Sequence, residues 1–262
     1  MEAPKLNLFS IDIGATMTIS HAEFLKRYRQ LVAGRTFVEN ERYYEQSSER
    51  FWKSFDAIQR LDLPVKSNII DIGGGIMAVL LSKILEMDAC VGDATEGSKN
   101  DILSMGLNFQ IVDLTSDEKL PNERFDLVVL QEVLEHLPHP PYIVFKRIMK
   151  FLKPNGILFL TTPNGSRVRN ILYMLAGKPV LDNFRYAGPG ETLGHQQEYV
   201  LPQLIWQLEK AGMVALSAEQ CDDGWRGASF STRALRTLAK PADLFPHLRN
   251  GLMISARPMA VD

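Results

Sequence analysis

Two acids and a histidine lie close together in the middle of the sequence, in a pattern that could do chemistry. Glu132, Glu135 and His136 are spaced i, i+3 and i+4, so they would share one face if the chain were helical there. Two carboxylates and an imidazole can bind a hard divalent cation, and a neutral imidazole can act as a general base. The spacing therefore predicts a metal site or a proton acceptor and does not choose between them.

A glycine-rich turn precedes this cluster in the chain. Gly73, Gly74 and Gly75 follow a short apolar segment and come before a helical one. Glycines let the backbone turn tightly and approach a ligand closely, and the free N–H groups of the next helix favour an anionic group. Asp93 stands 20 residues after Gly73, where an acid holds ribose hydroxyls in dinucleotide-binding proteins. The turn predicts an adenosine cofactor, either a nicotinamide nucleotide or another one.

Three acids at the ends of predicted strands bear on that choice. Asp71 comes just before the glycines, Asp93 ends the second strand and Asp113 ends the third. In a parallel sheet these ends lie along one edge, so the carboxylates would create a negative field there. That field repels a pyrophosphate and attracts a sulfonium cofactor that also carries an ammonium group.

Short apolar segments alternate with helical patterns from residue 68 onward, which predicts parallel β-α-β units and a doubly wound α/β sheet. Strands are predicted at 68–72, 89–93, 108–112, 125–130, 157–161, 213–219 and 252–256, and helices at 77–86, 142–152, 168–175 and 202–211.

The remaining segments are predicted to frame the site. Residues 1–60 are expected to form an N-terminal helical cap, and residues 61–262 the main domain. Residues 163–195 are rich in glycine and proline and follow the fifth strand, so we expect a substrate-covering insertion there, with a mobile surface loop as the alternative. Three aromatic residues of the cap are expected to close over the substrate: Tyr43, Tyr44 and Trp52.

Three stretches of the sequence, residues 125–138, 152–164 and 194–199, resemble the class I S-adenosylmethionine-dependent methyltransferases. The resemblance covers about residues 65–215. It implies a Rossmann-like, doubly wound, seven-stranded sheet that is mostly parallel, with an antiparallel last strand. It also implies S-adenosylmethionine as the cofactor.

The resemblance implies roles for nine residues around that cofactor. Met77 departs from the family pattern, because family members usually carry glycine there, and a side chain at this position could crowd the helix start. The nine residues are Asp71, Gly73, Gly74 and Gly75 at the methionine end, Asp93 at the ribose, Asp113 and Leu114 at the adenine, Gln131 near the sulfur, and Ala94, which is implied to bind the cofactor without a stated position.

The acid and histidine cluster also resembles that of the small-RNA 2′-O-methyltransferases and the ubiquinone-pathway O-methyltransferases. In those families a later histidine completes a divalent metal site, and His195 is the matching residue here. The implied ligands are Glu132, Glu135, His136 and His195, for Mg²⁺ or another divalent ion. Two alternatives stay open: His136 or His195 acts on the substrate as a catalytic residue without a metal, or the cluster is purely structural.

Composition limits the classes of function. The chain has 262 residues, 45% of them hydrophobic, and a formal charge of −2, which is typical of a globular protein and argues against nonspecific nucleic-acid or anionic-membrane binding. Two cysteines exclude a disulfide framework and a four-cysteine zinc site. No secretory pattern and no apolar run of roughly 20 residues is found, so we expect a cytoplasmic protein without a membrane span.

The sequence therefore predicts an S-adenosylmethionine-dependent methyltransferase that acts on a small-molecule acceptor, at a hydroxyl. It does not predict the acceptor or the oligomeric state, and nitrogen or carbon stays open as the methylated atom. The alternatives are a nicotinamide-dependent oxidoreductase, a non-catalytic partner subunit and an RNA 2′-O-methyltransferase. The RNA alternative depends on one basic cluster: Arg167, Arg169, Lys178 and Arg185.

Overall fold

The computed structural model of the protein describes residues 18–33, 41–61, 63–64, 66–122, 124–181, 194–222 and 244–260. Seven strands form one sheet. In chain order they are β1 Asn68–Ile72, β2 Asp88–Asp93, β3 Asn108–Ile111, β4 Phe125–Gln131, β5 Leu152–Pro163, β6 Met213–Cys221 and β7 Gly251–Pro258.

The strands are ordered β3-β2-β1-β4-β5-β7-β6 across the sheet. Strands β1 to β5 pair in parallel, whereas β7 lies between β5 and β6 and is antiparallel to both. This confirms the doubly wound sheet with an antiparallel last strand. The chain reverses its direction of winding between β1 and β4, and ligands bind beyond the carboxyl ends of strands at such a point.

Helices cover both faces of this sheet. The chain directly after β4 is a short 3-10 turn and not a helix, and one short helix, Lys99–Ser104, was not predicted. The helices are α1 His21–Val32, α2 Glu41–Gln59, α3 Ile76–Leu85, α4 Lys99–Ser104, α5 Pro141–Phe151, α6 Val168–Leu175 and α7 Leu201–Ala211, and 3-10 turns span Leu134–His136 and Pro246–Leu248.

The central strands are apolar on both faces because each face carries its own helical layer. Ile69 and Val129 pack into one hydrophobic cluster with α1, α2 and α3. Ile70 and Val128, one residue away on the same strands, pack into the other cluster with α5 and α7. The two-residue period of a strand thus assigns neighbouring side chains to opposite layers.

The N-terminal helices share their core with the sheet. Phe24 and Tyr28 of α1 and Phe55 of α2 are fully buried in the same cluster as α3. The division into a cap (1–60) and a main domain (61–262) stays a prediction, and residues 1–17 and 34–40 lie outside the described residues. Among the described helices, none is both long and apolar enough to cross a membrane.

Candidate functional site

The glycine turn (residues 73–75) has a backbone conformation that requires glycine. Gly73 and Gly75 have φ values of 101° and 74°, in the left-handed region that side chains rarely adopt. A Cβ atom on Gly73 would also lie 2.5 Å from Cγ2 of Val133, and one on Gly75 would lie 2.9 Å from Val91. The turn therefore brings backbone, rather than side chains, to the space beyond β1.

A cavity of about 260 Å³ opens at this turn, between the carboxyl ends of β1, β2 and β4. It brings together most of the residues that the sequence assigned to the cofactor. Those that line it are Asp71, Gly73, Gly74, Gly75, Asp93 and Gln131. The other three do not: Ala94 is exposed, Leu114 is buried, and Asp113 lies at the end of β3, outside the cavity lining.

Asp71 is buried beneath the turn and anchors the start of α3. Its carboxylate accepts a hydrogen bond from the backbone N–H of Ala78 at 3.0 Å, and Met77 contributes a second backbone N–H. Burial raises the pKa of Asp71 to about 7, although these hydrogen bonds oppose the shift. The side chain of Met77 points away from the turn into the hydrophobic core and is not part of the described cavity lining.

Asp93 and Asp113 each accept hydrogen bonds from the threonine two residues later, in a turn that follows a strand. The Oδ1 atom of Asp93 accepts hydrogen bonds from the backbone N–H and hydroxyl of Thr95, at 2.8 and 3.1 Å. Asp113 makes the same pair of bonds with Thr115, at 2.8 and 2.6 Å, and they hold its pKa below the usual value. Of the two acids, only Asp93 faces the cavity.

Helix α2 contacts the end of β4 through two polar side chains, Arg50 and Ser54, which the sequence analysis missed. Gln131 donates through its amide to the hydroxyl of Ser54 at 2.6 Å. Arg50 lines the cavity, is almost fully buried, and pairs with Glu132 at 3.2 Å. The Arg50 guanidinium also donates to the Tyr43 hydroxyl at 2.5 Å. The i+7 spacing of these two residues was the sequence signal that could have identified Arg50.

The chain is not helical at Glu132, so Glu132 does not share a helix face with Glu135 and His136. Glu132 has a positive φ of 53°, and only Leu134–His136 form a 3-10 turn. This bend directs Glu132 toward Arg50 and the Thr161 hydroxyl, which donates to it at 3.1 Å. Glu132 consequently lies outside the group of ligand atoms described next.

Glu135, His136 and His195 form a histidine cluster, in which one ligand atom of each residue lies within 4.8 Å of the others. The Glu135 carboxyl is buried, and its Oε2 accepts a hydrogen bond from the Thr162 hydroxyl at 2.9 Å. Its Oε1 has no hydrogen-bond partner among the described residues and lies 4.0 Å from Nε2 of His136. Burial, reinforced by the nearby Glu132 charge, raises the pKa of Glu135 well above its usual value.

Both imidazoles are oriented through their Nδ1 atoms. Nδ1 of His136 lies 3.3 Å from the carbonyl oxygen of Gly194, and Nδ1 of His195 lies 3.0 Å from a carboxylate oxygen of Glu198. A carbonyl oxygen only accepts, so Nδ1 of His136 carries the proton and Nε2 the lone pair. The ring centroids are 4.9 Å apart at 83°, and of the two only His136 is part of the described cavity lining.

Glu198 is a buried carboxylate that sequence reasoning did not single out. Arg167 and Asn170 donate to it at 2.5 and 2.6 Å, in addition to His195. Burial by itself raises the pKa of Glu198, but the hydrogen bond from His195 and the charge of Arg167 outweigh it and hold the pKa below the usual value. Glu198 is therefore ionised. Its position three residues after His195 was the only sequence signal.

The basic residues that suggested RNA binding are engaged within the protein. Arg167 pairs with Glu198, and Arg169 donates to the carbonyl of Val180 at 3.0 Å. Arg169 and Lys178 also lie over the ring of Tyr173. Arg185, like the rest of 182–193 in the predicted insertion, lies outside the described residues.

The aromatic residues expected over the substrate divide into two groups. Tyr43 and Tyr44 line the cavity, and their closure over a substrate stays a prediction. Trp52 instead stacks on His21 with ring centroids 5.0 Å apart and packs against Phe24, between α1 and α2.

Comparisons with known proteins show which family and fold this chain resembles. A family model described as a methyltransferase domain matches residues 43–218, which is more than half of the chain. A ubiquinone biosynthesis O-methyltransferase from Colwellia psychrerythraea is 30% identical over 148 residues, covering 51% of this chain and 60% of that protein. One from Coxiella burnetii is 25% identical over 160 residues, covering 57% and 64%. The chain thus spans less than two thirds of the length of either relative.

A similar fold occurs in solved structures. An S-adenosylmethionine-dependent methyltransferase from Clostridium acetobutylicum superposes with a TM-score of 0.53 at 12% identity, covering 92% of this chain and 99% of the other. At this identity the likeness shows a shared fold.

Proposed function

The chain belongs to the class I S-adenosylmethionine-dependent methyltransferases, and we propose that it transfers the methyl group to a hydroxyl of a small-molecule acceptor. The observation that carries the proposal is a pair of oriented imidazoles beside the cavity at the glycine turn. His136 lines that cavity, and His195 lies next to it. Family membership also favours S-adenosylmethionine over a nicotinamide nucleotide, the two kinds of adenosine cofactor that the glycine turn left open.

The glycine turn and Asp93 are proposed to hold the cofactor. A Cβ atom on Gly74 would meet nothing within 4 Å, so the middle of the turn is open to a ligand. Asp93 uses only its Oδ1 within the described part of the chain, which leaves Oδ2 for ribose hydroxyls. The carboxylate of Asp93 in the lining suits a positively charged cofactor, and a bound cation would also favour the ionised form of Asp71. Ala94, Asp113 and Leu114, which lie outside the cavity lining, are proposed to contact the rest of the cofactor, with Asp113 and Leu114 at the adenine end.

The histidines are proposed to supply the proton acceptor that a hydroxyl needs. S-adenosylmethionine supplies an already activated methyl group, so alignment of the acceptor and exclusion of water are the main demands on the protein. A hydroxyl must also lose its proton as it is methylated, and a positioned imidazole contributes typically 10²- to 10⁴-fold to such a step. His136 is the base in this proposal because its lone pair is on Nε2 and its ring lines the cavity.

Two further observations favour a small oxygen acceptor. The curated relatives are named as O-methyltransferases of ubiquinone biosynthesis. RNA is disfavoured because the chain has a formal charge of −2 and because Arg167, Arg169 and Lys178 have partners within the protein.

The residues of the histidine cluster also fit a divalent metal. Oε1 of Glu135 is buried without a hydrogen-bond partner among the described residues, and both imidazoles are held through Nδ1, as metal-binding histidines usually are. One carboxylate and two imidazole nitrogens form a common ligand set for divalent transition metals. Glu135, His136 and His195 would hold the ion, and Glu132, the fourth predicted ligand, lies outside this group of ligand atoms. A bound ion would polarise the acceptor hydroxyl and lower its pKa.

A panel of acceptors tests the proposed function. Purified protein is incubated with S-adenosylmethionine and phenol, catechol, glucose or aniline, and the demethylated cofactor and the methylated acceptor are quantified by mass spectrometry. We expect methyl transfer to a hydroxyl and a fall in kcat of about 10²-fold or more in His136→Asn. Transfer to aniline alone, or an unchanged kcat in His136→Asn, would contradict the proposal.

Metal binding is tested separately with Mn²⁺. Titration of Mn²⁺ into the protein, followed by electron paramagnetic resonance, is expected to show one bound ion in the wild type and none in Glu135→Gln. Catechol should then be preferred over phenol, because two adjacent hydroxyls can chelate the ion. Equal Mn²⁺ signals with and without protein would rule out the metal and leave His136 as a metal-free base.

A further inference from the structure

We propose that Glu198 is a positioning residue that fixes the ring orientation and the tautomer of His195, and that Arg167 and Asn170 hold Glu198 in place for this purpose. The inference rests on the proposed function, in which His195 belongs to the site of methyl transfer. It adds the residues that determine which nitrogen of His195 faces that site.

Glu198 receives donors on both carboxylate oxygens. Oε1 accepts from Nδ1 of His195 at 3.0 Å and from the guanidinium of Arg167 at 2.5 Å, and Oε2 accepts from the amide of Asn170 at 2.6 Å. The donors are fixed in turn, because Asn170 also donates to the carbonyl of Gly165 at 2.9 Å and accepts from Nε of Arg167 at 3.3 Å. The carboxylate therefore cannot rotate away from His195 without breaking several bonds.

This arrangement sets the tautomer of His195. An arginine keeps its charge in proteins, and a carboxylate paired with it offers only acceptor atoms. Nδ1 of His195 must then carry a proton, and in the neutral ring this places the lone pair on Nε2. Which imidazole nitrogen is protonated is commonly decided in this way, by the hydrogen bond made at the other nitrogen. His195 is thereby prepared to accept a proton or to bind a cation through Nε2.

The location of the network suits a positioning role. Glu198 and Asn170 are buried, and only about an eighth of the Arg167 side chain is exposed (13%). The segment with His195 and Glu198 is also tied to the chain after β5, since the backbone N–H of Gly165 donates to the carbonyl of Tyr199 at 2.8 Å. A buried ion pair between two adjoining segments holds the imidazole more rigidly than a solvent-exposed one would.

A purely structural role for Glu198 makes different predictions. If Glu198 only joined α6 to the segment before α7, its replacement would lower stability and leave the tautomer of His195 and the kcat of the folded protein unchanged. A positioning role predicts a change in both. Outer partners of this kind typically contribute 10- to 100-fold to activity or metal affinity.

The experiment measures the protonation of the histidine rings by long-range ¹H–¹⁵N NMR on the full chain without cofactor or acceptor. The signals of His195 are identified among those of the five histidines by their absence in His195→Asn. In the wild type we expect His195 in the Nδ1–H form, and finding the Nε2–H form would overturn the proposal without any Glu198 variant. In Glu198→Gln, whose amide can donate to Nδ1, we expect the Nε2–H form to appear.

Kinetics on the same variants complete the test. We expect kcat to fall about 10- to 100-fold in Glu198→Gln, with partial recovery in Glu198→Asp and an unchanged affinity for S-adenosylmethionine. Glu209→Gln, the same change at an exposed acid of α7, should match the wild type. A stability loss in Glu198→Gln without a change in tautomer or kcat would overturn the proposal. If the tautomer of His195 changes in Glu198→Gln but His195→Asn is fully active, then His195 takes no part in methyl transfer. This result would contradict the proposed function and not the positioning role of Glu198.

Discussion

The cavity is bounded by two regions that are built in different ways. On the glycine-turn side, residues 73–75 and the acids Asp71 and Asp93 follow directly from the ends of β1 and β2. On the histidine side, Glu135, His136 and His195 come from segments about sixty residues apart and are held by buried side chains such as Glu198. The first region is set by backbone conformation and the second by long-range side-chain contacts.

This difference separates two tasks. A turn that presents backbone and two carboxylates is suited to bind a cofactor, whatever the acceptor is. A pair of imidazoles with assigned tautomers is suited to act on the acceptor, and it can be altered without disturbing the turn. We therefore expect substitutions on the two sides to affect different measurable quantities.

The largest effect is expected on the histidine side. His195→Asn removes one of the two imidazoles while keeping a polar side chain of similar size. Because the two imidazoles are proposed to act together, with His136 as the base, we expect kcat to fall by about 10²-fold or more, as in His136→Asn. The affinity for S-adenosylmethionine should not change, because His195 is not part of the described cavity lining. A single-turnover assay measures the first quantity. A parallel fall in cofactor affinity would show that the two sides are not separable.

A pH-dependent effect is expected at Asp71. Its pKa is about 7 in the folded protein and 3.8 ordinarily, so its contribution to the free energy of unfolding is fully present below about pH 4 and is lost as the pH rises through 7, by about 4 kcal/mol in total. Asp71→Asn keeps an acceptor for the Ala78 N–H and does not titrate. Urea unfolding of the cofactor-free proteins between pH 4 and pH 8 measures the difference. Parallel curves for the two proteins would contradict the assignment.

A smaller effect, confined to cofactor affinity, is expected at Asp93. Asp93→Ala should weaken binding of S-adenosylmethionine about 10- to 100-fold, as expected from the loss of hydrogen bonds to a charged group. Asp88→Ala is the matched control, because Asp88 is an exposed acid at the opposite end of the same strand. Similar affinities for the two variants would remove Asp93 from the cofactor site.

The smallest effect is expected at Met77. Because its side chain is buried in the core and not in the described cavity lining, Met77→Leu should change the free energy of unfolding by less than about 1.5 kcal/mol and leave cofactor affinity unchanged. Calorimetric unfolding and cofactor titration check both. A marked gain in cofactor affinity would show that the methionine crowds the turn after all.

Much of the fold could be predicted because it depends on local pattern. The strand 68–72 was predicted with the bounds that the structure has, since an apolar run that ends in glycines has few other interpretations. The concern about Met77 arose because sequence cannot tell which way a side chain points at a helix start. The structure directs it into the layer formed by α1, α2 and α3.

The histidine side was only partly predictable, for physical reasons. Glu132 adopts a positive φ, which few non-glycine residues do, so the face that Glu132 would share with Glu135 and His136 in a helix is not formed. Arg50 and Ser54 reach the end of β4 across about eighty residues of chain, and no local pattern reports such contacts. Glu198 became visible only once the structure placed it between His195, Arg167 and Asn170.

The separation of the two sides is tested most directly by calorimetric titration of S-adenosylmethionine into the wild type, Asp93→Ala and His195→Asn. We predict that His195→Asn binds the cofactor as the wild type does, and that Asp93→Ala binds it about 10- to 100-fold more weakly. Equal loss of binding in both variants would contradict the separation, and no binding to the wild type would contradict the cofactor assignment itself.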